Sequence, residues 1–469
     1  GGFEAAQPGA GTNAFAAGIS AGLTSQGVNS TAVGHAAGQT SQATNATAVG
    51  VIAGQTTQGD YATAVGHGAG QTNQGTNAVA VGVLAGYGDP NDPTKGQGSN
   101  AVAVGYAAGQ TGQSINAVAV GVVAGQTSQG TAAVAVGYNA GNTSQSNYGT
   151  AIGHNAGYLN QGNAAVGVGV NAGQSNQGAD AVSVGNSAGV TTQGANATAV
   201  GLSAGQTSQG ASAVAVGNVA GMTTQGAIAV AVGSGAGMTS QGSLAVAVGH
   251  RSGETSQNDN AVAVGYASGF TGQGVSAVAI GDAAGFTSQS ERAVAVGNSA
   301  GATSQGANSV AIGYLAGQTN QAANGIIISS AGSASNCASP NHIVLQSAPD
   351  KYLFYNGFGT NSWTFAGGDV TVPNDNLLVG TTVISGAAPA RIDTVFNGLI
   401  EYGAAFKTSY GSAGSNFIQF INSAGVVQGT IYANATNTTL YSTSSDERLK
   451  ENIVDAPAGN IDDIRVRSF

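Results

Sequence analysis

Side chains equipped for chemistry are scarce in this sequence. Four of the five histidines, His35, His67, His154 and His250, each follow a glycine, at a position that also carries Tyr106, Tyr138, Tyr266 and Tyr314. Imidazole titrates near neutral pH and ligates metals. Single histidines separated by whole repeats would converge on an ion only across symmetry-related copies, so an exposed or interface histidine is the simpler expectation, and no metal site is assigned. Asp89 and Asp92 lie in a Pro-containing insertion, where a carboxylate can hold a cation or cap a turn; a surface insertion is the expectation. The lone Cys337 supports neither a disulfide framework nor a thiolate metal site. No Ser/His/Asp set and no paired carboxylates can be assembled, so hydrolytic chemistry has no visible carrier and no cofactor is expected. The densest polar string, SSDERLKENI at 444–453, reads most plainly as a helix start capped by Ser445.

What positions these residues is a repeat. Ala117-Val118-Ala119-Val120-Gly121 recurs, lightly varied, every 16 residues. Its closing glycine, taken as position zero, falls at Gly18, Gly34, Gly50, Gly66 and Gly82, then at every 16th residue from Gly105 to Gly313. These nineteen copies are interrupted once, by seven extra residues within 87–95. A short fixed period marks a solenoid, in which each unit buries its apolar surface against its neighbours. Period-two alternation in AVAVG reads as a short strand and the recurring glycines as turns. The expected class is all-β, a parallel β-solenoid of 16-residue coils.

Position minus one is Val or Ile in every copy after Ala17, and the column Val120, Val136, Val200, Val216 and Val232 is expected to be the buried core ladder. Positions minus two and minus four are always small, as at Ala119, Gly167 and Ser183, so something packs close there. A second block places Gly at plus four, usually Thr at plus six, and Gln at plus eight. Equal positions of successive coils stack about 4.8 Å apart, so Thr111 with Thr127, and Gln113 with Gln129, are expected to form polar ladders. A coil this thin, with little more than Ala inside, is marginal alone after the entropy of ordering a glycine-rich chain is subtracted. Association follows, most simply as a homotrimer, with the Val column facing either the coil interior or partner chains.

Composition narrows the partners. Net charge is −10, and the array's basic residues are Lys95, Arg251 and Arg292, too few to neutralise a nucleic acid backbone. No apolar run approaches the roughly 20 residues of a spanning helix, so membrane insertion is not expected. The first residues lack the basic and apolar regions of a secretion signal.

The pattern A-x-A-[VI]-G-x-x-A with its glycine-bearing turn resembles the head repeats of trimeric autotransporter (YadA-like) adhesins over about two thirds of the chain. That resemblance implies a left-handed parallel β-roll with three chains side by side. The unit differs in length, since the family repeat usually has about 14 residues and the two more here fall in the GQTSQG turn.

The pattern fades at about residue 324, and the expected divisions are a repeat array at 1–324, a capping and transition segment at 325–345, a β-rich region at 346–445, and 446–469. Strands are expected at 342–346, 352–355, 362–365 and 377–379, with a hairpin between 417–421 and 426–432. The final string, S-D-x-R-L-K-x-N-I, closely resembles the opening of the endosialidase-type intramolecular chaperone found at the C-termini of phage tail fibres and tailspikes. The resemblance implies trimerisation followed by self-cleavage between Ser445 and Asp446, with Ser445 as nucleophile and Lys450 assisting. Apart from that autoproteolysis no enzyme activity is expected.

Together these resemblances imply a structural and host-adhesion fibre on a phage virion, joined to other tail proteins and meeting a host receptor, a glycan or an outer-membrane component. A bacterial trimeric surface adhesin and a monomeric ligand- or ice-binding solenoid with a Thr face are the alternatives.

Overall fold

The computed structural model describes residues 10–330, 340–348, 351–356, 362–366, 416–421, 427–433 and 439–443. The chain divides into two units, 1–370 and 371–469.

The first unit is a parallel β-solenoid with 16 residues per coil. Each AVAV segment is a three-residue strand, and successive copies pair in parallel at equal positions, as Val118↔Val134, Ala119↔Ala135 and Val120↔Val136 do. A second sheet stacks the T-x-Q segments, with Thr127↔Thr143 and Gln129↔Gln145 in register. The two sheets face each other across the coil: Gln129 reaches from the second sheet to donate a 2.8 Å hydrogen bond from Nε2 to the Val118 carbonyl in the first.

The interior is filled by small residues and glutamine. Ala117, Ala119 and Ala124 are wholly buried, and so is the same trio in most coils. Gln113 and Gln129 are 1% exposed. Along most AVAV strands burial runs half-buried, buried, half-buried, and in the others an outward residue is more exposed still, so Val118 and Val120 point outward on either side of the inward Ala119. Of the two placements open to the minus-one column, the coil interior is not the one found: Val120, Val136, Val200, Val216 and Val232 are all half-exposed in the single chain. The physical reason is parity together with width. Minus two and minus one cannot face the same way in a strand, and the interior has room only for a methyl group beside a glutamine.

Sharp corners let so small a coil close, and they explain the glycines. Gly121 has φ +132°, and a Cβ on it would lie 2.5 Å from the Gly137 carbonyl oxygen, so backbone stacks directly on backbone down this column. Other corners use left-handed residues that are not glycine, such as Val123 (φ 51°), Ser128 (φ 56°) and Asn116 (φ 60°). Asn is the least strained of these, because its short amide tolerates that region.

The insertion leaves the coil later than its sequence suggests. Tyr87 and Gly88 keep their places, with Thr72 N donating to the Tyr87 carbonyl (2.9 Å) and Gly88 N to the Gln110 carbonyl (2.8 Å). The excursion begins at Asp89, includes a single 3-10 turn at Pro93–Lys95, and rejoins at Gln97. The first sheet passes it without a change of register, as Val79↔Val102 shows, and on the other side the isolated bridge Gln74↔Gln97 keeps the glutamines in step.

Past the last repeat, Ile326–Ser329 adds one more parallel strand on Val310–Ile312, and His342–Ala348 pairs parallel with it. Ile327 here replaces the inward alanine and is fully buried, which fills the end of the coil. Two antiparallel strands, Lys351–Asn356 and Ser362–Ala366, continue the sheet. The second unit contains an antiparallel set, Asn416–Ile421, Val427–Ala433 and Thr439–Thr443. Leu377, Val379 and Cys337 lie outside the described residues.

Candidate functional site

The rod's chemistry is built from columns, because each residue type recurs at one place on successive coils. The innermost column is glutamine. Gln113 Nε2 donates to Gln129 Oε1 at 3.1 Å, Gln129 to Gln145 at 3.1 Å, and the relay continues in the same direction from Gln26 to Gln321. The second amide hydrogen of each goes to a backbone carbonyl, as from Gln113 to Val102 at 2.8 Å. A buried amide needs both donors and its acceptor satisfied; this column meets that need with its own copies. Within this column, among the described residues, an acceptor is left over only at the start, at Gln26 Oε1. The column is structural and offers solvent no reactive group.

Two broad faces are left for partners. One carries the outward side chains at minus three and minus one, a stripe of Val, Ile and Thr along the first sheet. Its β-branched members include Ile152 and Ile280, each 40% exposed. The opposite face carries Thr127 and Ser128, both exposed, and in most other coils Thr or Ser stands at one or both of these places, so it is largely a face of hydroxyls, with Leu159 and Asn160 among the exceptions. Thr111 and Thr127 stand on that outer face and make no side-chain ladder like that of the glutamines.

The plus-one column carries aromatic groups at the rim. His154 stacks on Tyr138 with ring centroids 5.1 Å apart, and His250 on Tyr266 at 5.3 Å. No group of three or more His, Cys, Asp or Glu side chains is placed to hold a metal among the described residues.

A local concentration of charge follows at the coils from Gly249 to Gly297. Arg251 Nη2 donates to Glu254 Oε1 at 3.1 Å while its Nε bonds the other carboxylate oxygen, and its guanidinium lies 4.6 Å from the Phe270 ring centroid. Phe270 in turn stacks on Phe286 at 4.8 Å. The hydrogen bonds to Glu254 raise the Arg251 pKa above its ordinary value, and the two opposite charges offset each other. This cluster was not singled out from the sequence. Its signal there was that plus five changes from Gln, at Gln206, to Met222, Met238, Glu254, Phe270 and Phe286.

At the insertion, Asp89 and Asp92 serve the loop itself. Asp89 Oδ1 accepts from Asn91 N at 2.9 Å; Asp92 Oδ1 accepts from Thr94 N at 3.0 Å and Thr94 Oγ1 at 2.6 Å. The Thr94 bonds hold the Asp92 carboxyl below its ordinary pKa. Asn73 of the preceding coil donates to the Pro93 carbonyl at 2.7 Å and pins the loop down.

The chain was compared with known protein families, curated proteins and solved structures, and none matches. Ser445, Asp446 and Lys450 lie outside the described residues.

Proposed function

We propose that this chain is a host-adhesion fibre of a bacteriophage virion, working as a parallel homotrimer of left-handed β-rolls sealed along the Val/Ile stripe. The observation that carries the reading is that stripe. In each coil the interior is already complete with Ala and Gln, yet the AVAV strand also sets β-branched side chains outward, and they stay half-exposed along the repeats from Val33 to Ile312. A continuous apolar stripe of this length on a sheet invites burial against another surface. Another copy of the same rod presents one of matching period, which also spares each chain an exposed apolar face.

The resemblance of residues 444–453 to a phage-fibre chaperone supports the same reading over a bacterial adhesin. Under it, Ser445 is the nucleophile for scission of the Ser445–Asp446 bond, Lys450 assists, and other tail proteins and a host surface receptor are the partners. Native mass measurement of the full-length gene product should give three chains, and mass spectrometry of virion-derived fibre a C-terminus at Ser445. A monomer would refute the assembly, and unchanged processing in Ser445→Ala would refute the cleavage.

The completeness of the interior also favours a second reading, a self-sufficient monomeric solenoid that binds its ligand on the hydroxyl face. Under that reading native mass measurement gives one chain, and the Val/Ile stripe is left to solvent.

A further inference from the structure

The break in register is the one place where the array adds chain that its fold does not use. The first sheet and the glutamine relay cross it unchanged, with Gln74 Nε2 donating to Gln97 Oε1 and Gln97 to Gln113 at 3.1 and 3.0 Å. The seven added residues therefore contribute nothing to the coil, and what they build is a surface shape. Between this ledge and the coils that follow lies an open groove of about 360 Å³, walled by Asn73, Pro93, Thr94, Ser114, Ile115 and Thr131. That volume lies toward the lower end of ligand-sized clefts, roughly 300–1,000 Å³.

The lining specifies the chemistry of an occupant. It holds no ionisable side chain. The charges beside it in sequence, Asp92 and Lys95, pair with each other at 3.7 Å. The lining itself therefore offers a charged ligand no counter-ion. Hydroxyls of Ser114 and Thr131, with the Thr94 hydroxyl and Asn73 amide already donating within the ledge, lie beside two apolar surfaces, Pro93 and Ile115, the latter 51% exposed. Gly112 leaves the floor bare, since its Cβ would have touched nothing closer than 3.7 Å. Polar edge beside apolar patch suits a ligand that has hydroxyls around its rim and C–H groups on its face. An extended peptide fits less well. The coil amides run along the rod and are taken by neighbouring coils, as Gly98 N is by the Gln113 carbonyl (2.7 Å) and Ser114 N by the Gln129 carbonyl (2.9 Å), so no strand edge is offered. The ledge is held before any ligand arrives, by Asn73 on Pro93 and by Asp92 on Thr94, which lowers the ordering cost of binding.

We infer that the groove beneath residues 89–95 is a binding site for an uncharged saccharide. The inference rests on the adhesion reading and assigns it a place and a ligand class. The test is titration of the full chain on an array of neutral and acidic oligosaccharides, followed by three variants. Deleting 89–95 joins Gly88 to Gly96–Gln97 and restores a 16-residue coil, so the rod should stay folded while neutral-glycan binding falls about tenfold or more, the equivalent of losing one or two groove contacts. Thr131→Trp fills the groove without touching the ledge and should give the same loss. Ala211→Trp, at the equivalent position five coils on, should bind as wild type. The inference is overturned if no neutral saccharide binds, if the first two variants bind as well as wild type, or if a peptide or acidic glycan competes for the groove with higher affinity. Adsorption of the fibre to host cells separates the two claims. Wild-type adsorption that survives deletion of 89–95 leaves adhesion standing and removes the groove as its site, whereas no adsorption at all removes the adhesion reading itself.

Discussion

Gly125 lies beneath the amide of Gln129, so close that a Cβ on the glycine would stand 2.7 Å from Gln129 Cδ. The same fit recurs down the rod, from Gly38 under Gln42 to Gly301 under Gln305. It explains why two positions four residues apart never vary together: the buried amide occupies the volume that a side chain at plus four would need, and that glycine also has φ near +50°.

Gly125→Ala should destabilise its own and adjacent coils by about 1–3 kcal/mol from backbone strain alone, with the collision against Gln129 added. Because coils interact only with their neighbours, the loss should be local. Hydrogen exchange is expected to accelerate between residues 109 and 153 and to stay unchanged beyond 200; uniform protection would refute the fit.

Gln209→Leu removes the middle of a relay. Gln193 Nε2 loses its acceptor at 3.0 Å, and Gln225 Oε1 and the Thr198 carbonyl lose their donor. Leaving buried polar groups unpaired costs about 1–3 kcal/mol each, so denaturant unfolding should shift by about 2–5 kcal/mol. A shift no larger than that of an exposed control such as Ser208→Ala would show that the relay contributes little.

Val216→Asp and Ala215→Asp should separate folding from assembly. Ala215 is fully buried, so a carboxylate there must be neutralised or hydrated at several kcal/mol, and the coil should open in a monomer and a trimer alike. Val216 is half-exposed. Its aspartate should leave the circular dichroism of the single chain intact and abolish the trimer in native mass measurement, while Asn218→Asp, at the exposed rim, should change neither. A Val216→Asp trimer as stable as wild type would place the interface elsewhere.

The ledge should loosen in acid. Asp92 titrates below its ordinary value of 3.8 because Thr94 donates to the carboxylate. A carboxyl whose pKa is depressed on folding stabilises the folded form above its unfolded pKa, and that contribution disappears as pH falls through the folded value. Hydrogen exchange of the amides within 89–95, corrected at each pH for the intrinsic exchange rate, should therefore rise as pH drops below 3.8 in wild type. In Asp92→Asn it should already be raised at pH 7 and respond less to acid. Equal pH profiles would show that the carboxylate does not order the loop.

The sequence by itself determined the period, the all-β class and the parallel register, because a 16-residue repeat with alternating AVAV allows equal positions to stack and little else. It also marked the positions that matter: the glycine at zero, the glycine at plus four and the glutamine at plus eight recur because backbone stacking and one buried amide leave no alternative there. It could not tell inside from outside. Parity divides AVAV into two faces, and hydrophobicity then favours Val120 over Ala119 as the buried one. Only the tertiary structure decided for Ala119, because interior width is set by how sharply left-handed residues such as Val123 and Ser128 turn the corners. The glutamines went inside for the same reason. A long amide is polar in sequence, yet it becomes a core residue once identical copies stand one coil apart to satisfy it. The seat of the 89–95 ledge on Asn73, and the stacking of Arg251 on Phe270, join residues nearly 20 apart in sequence that only coiling brings together.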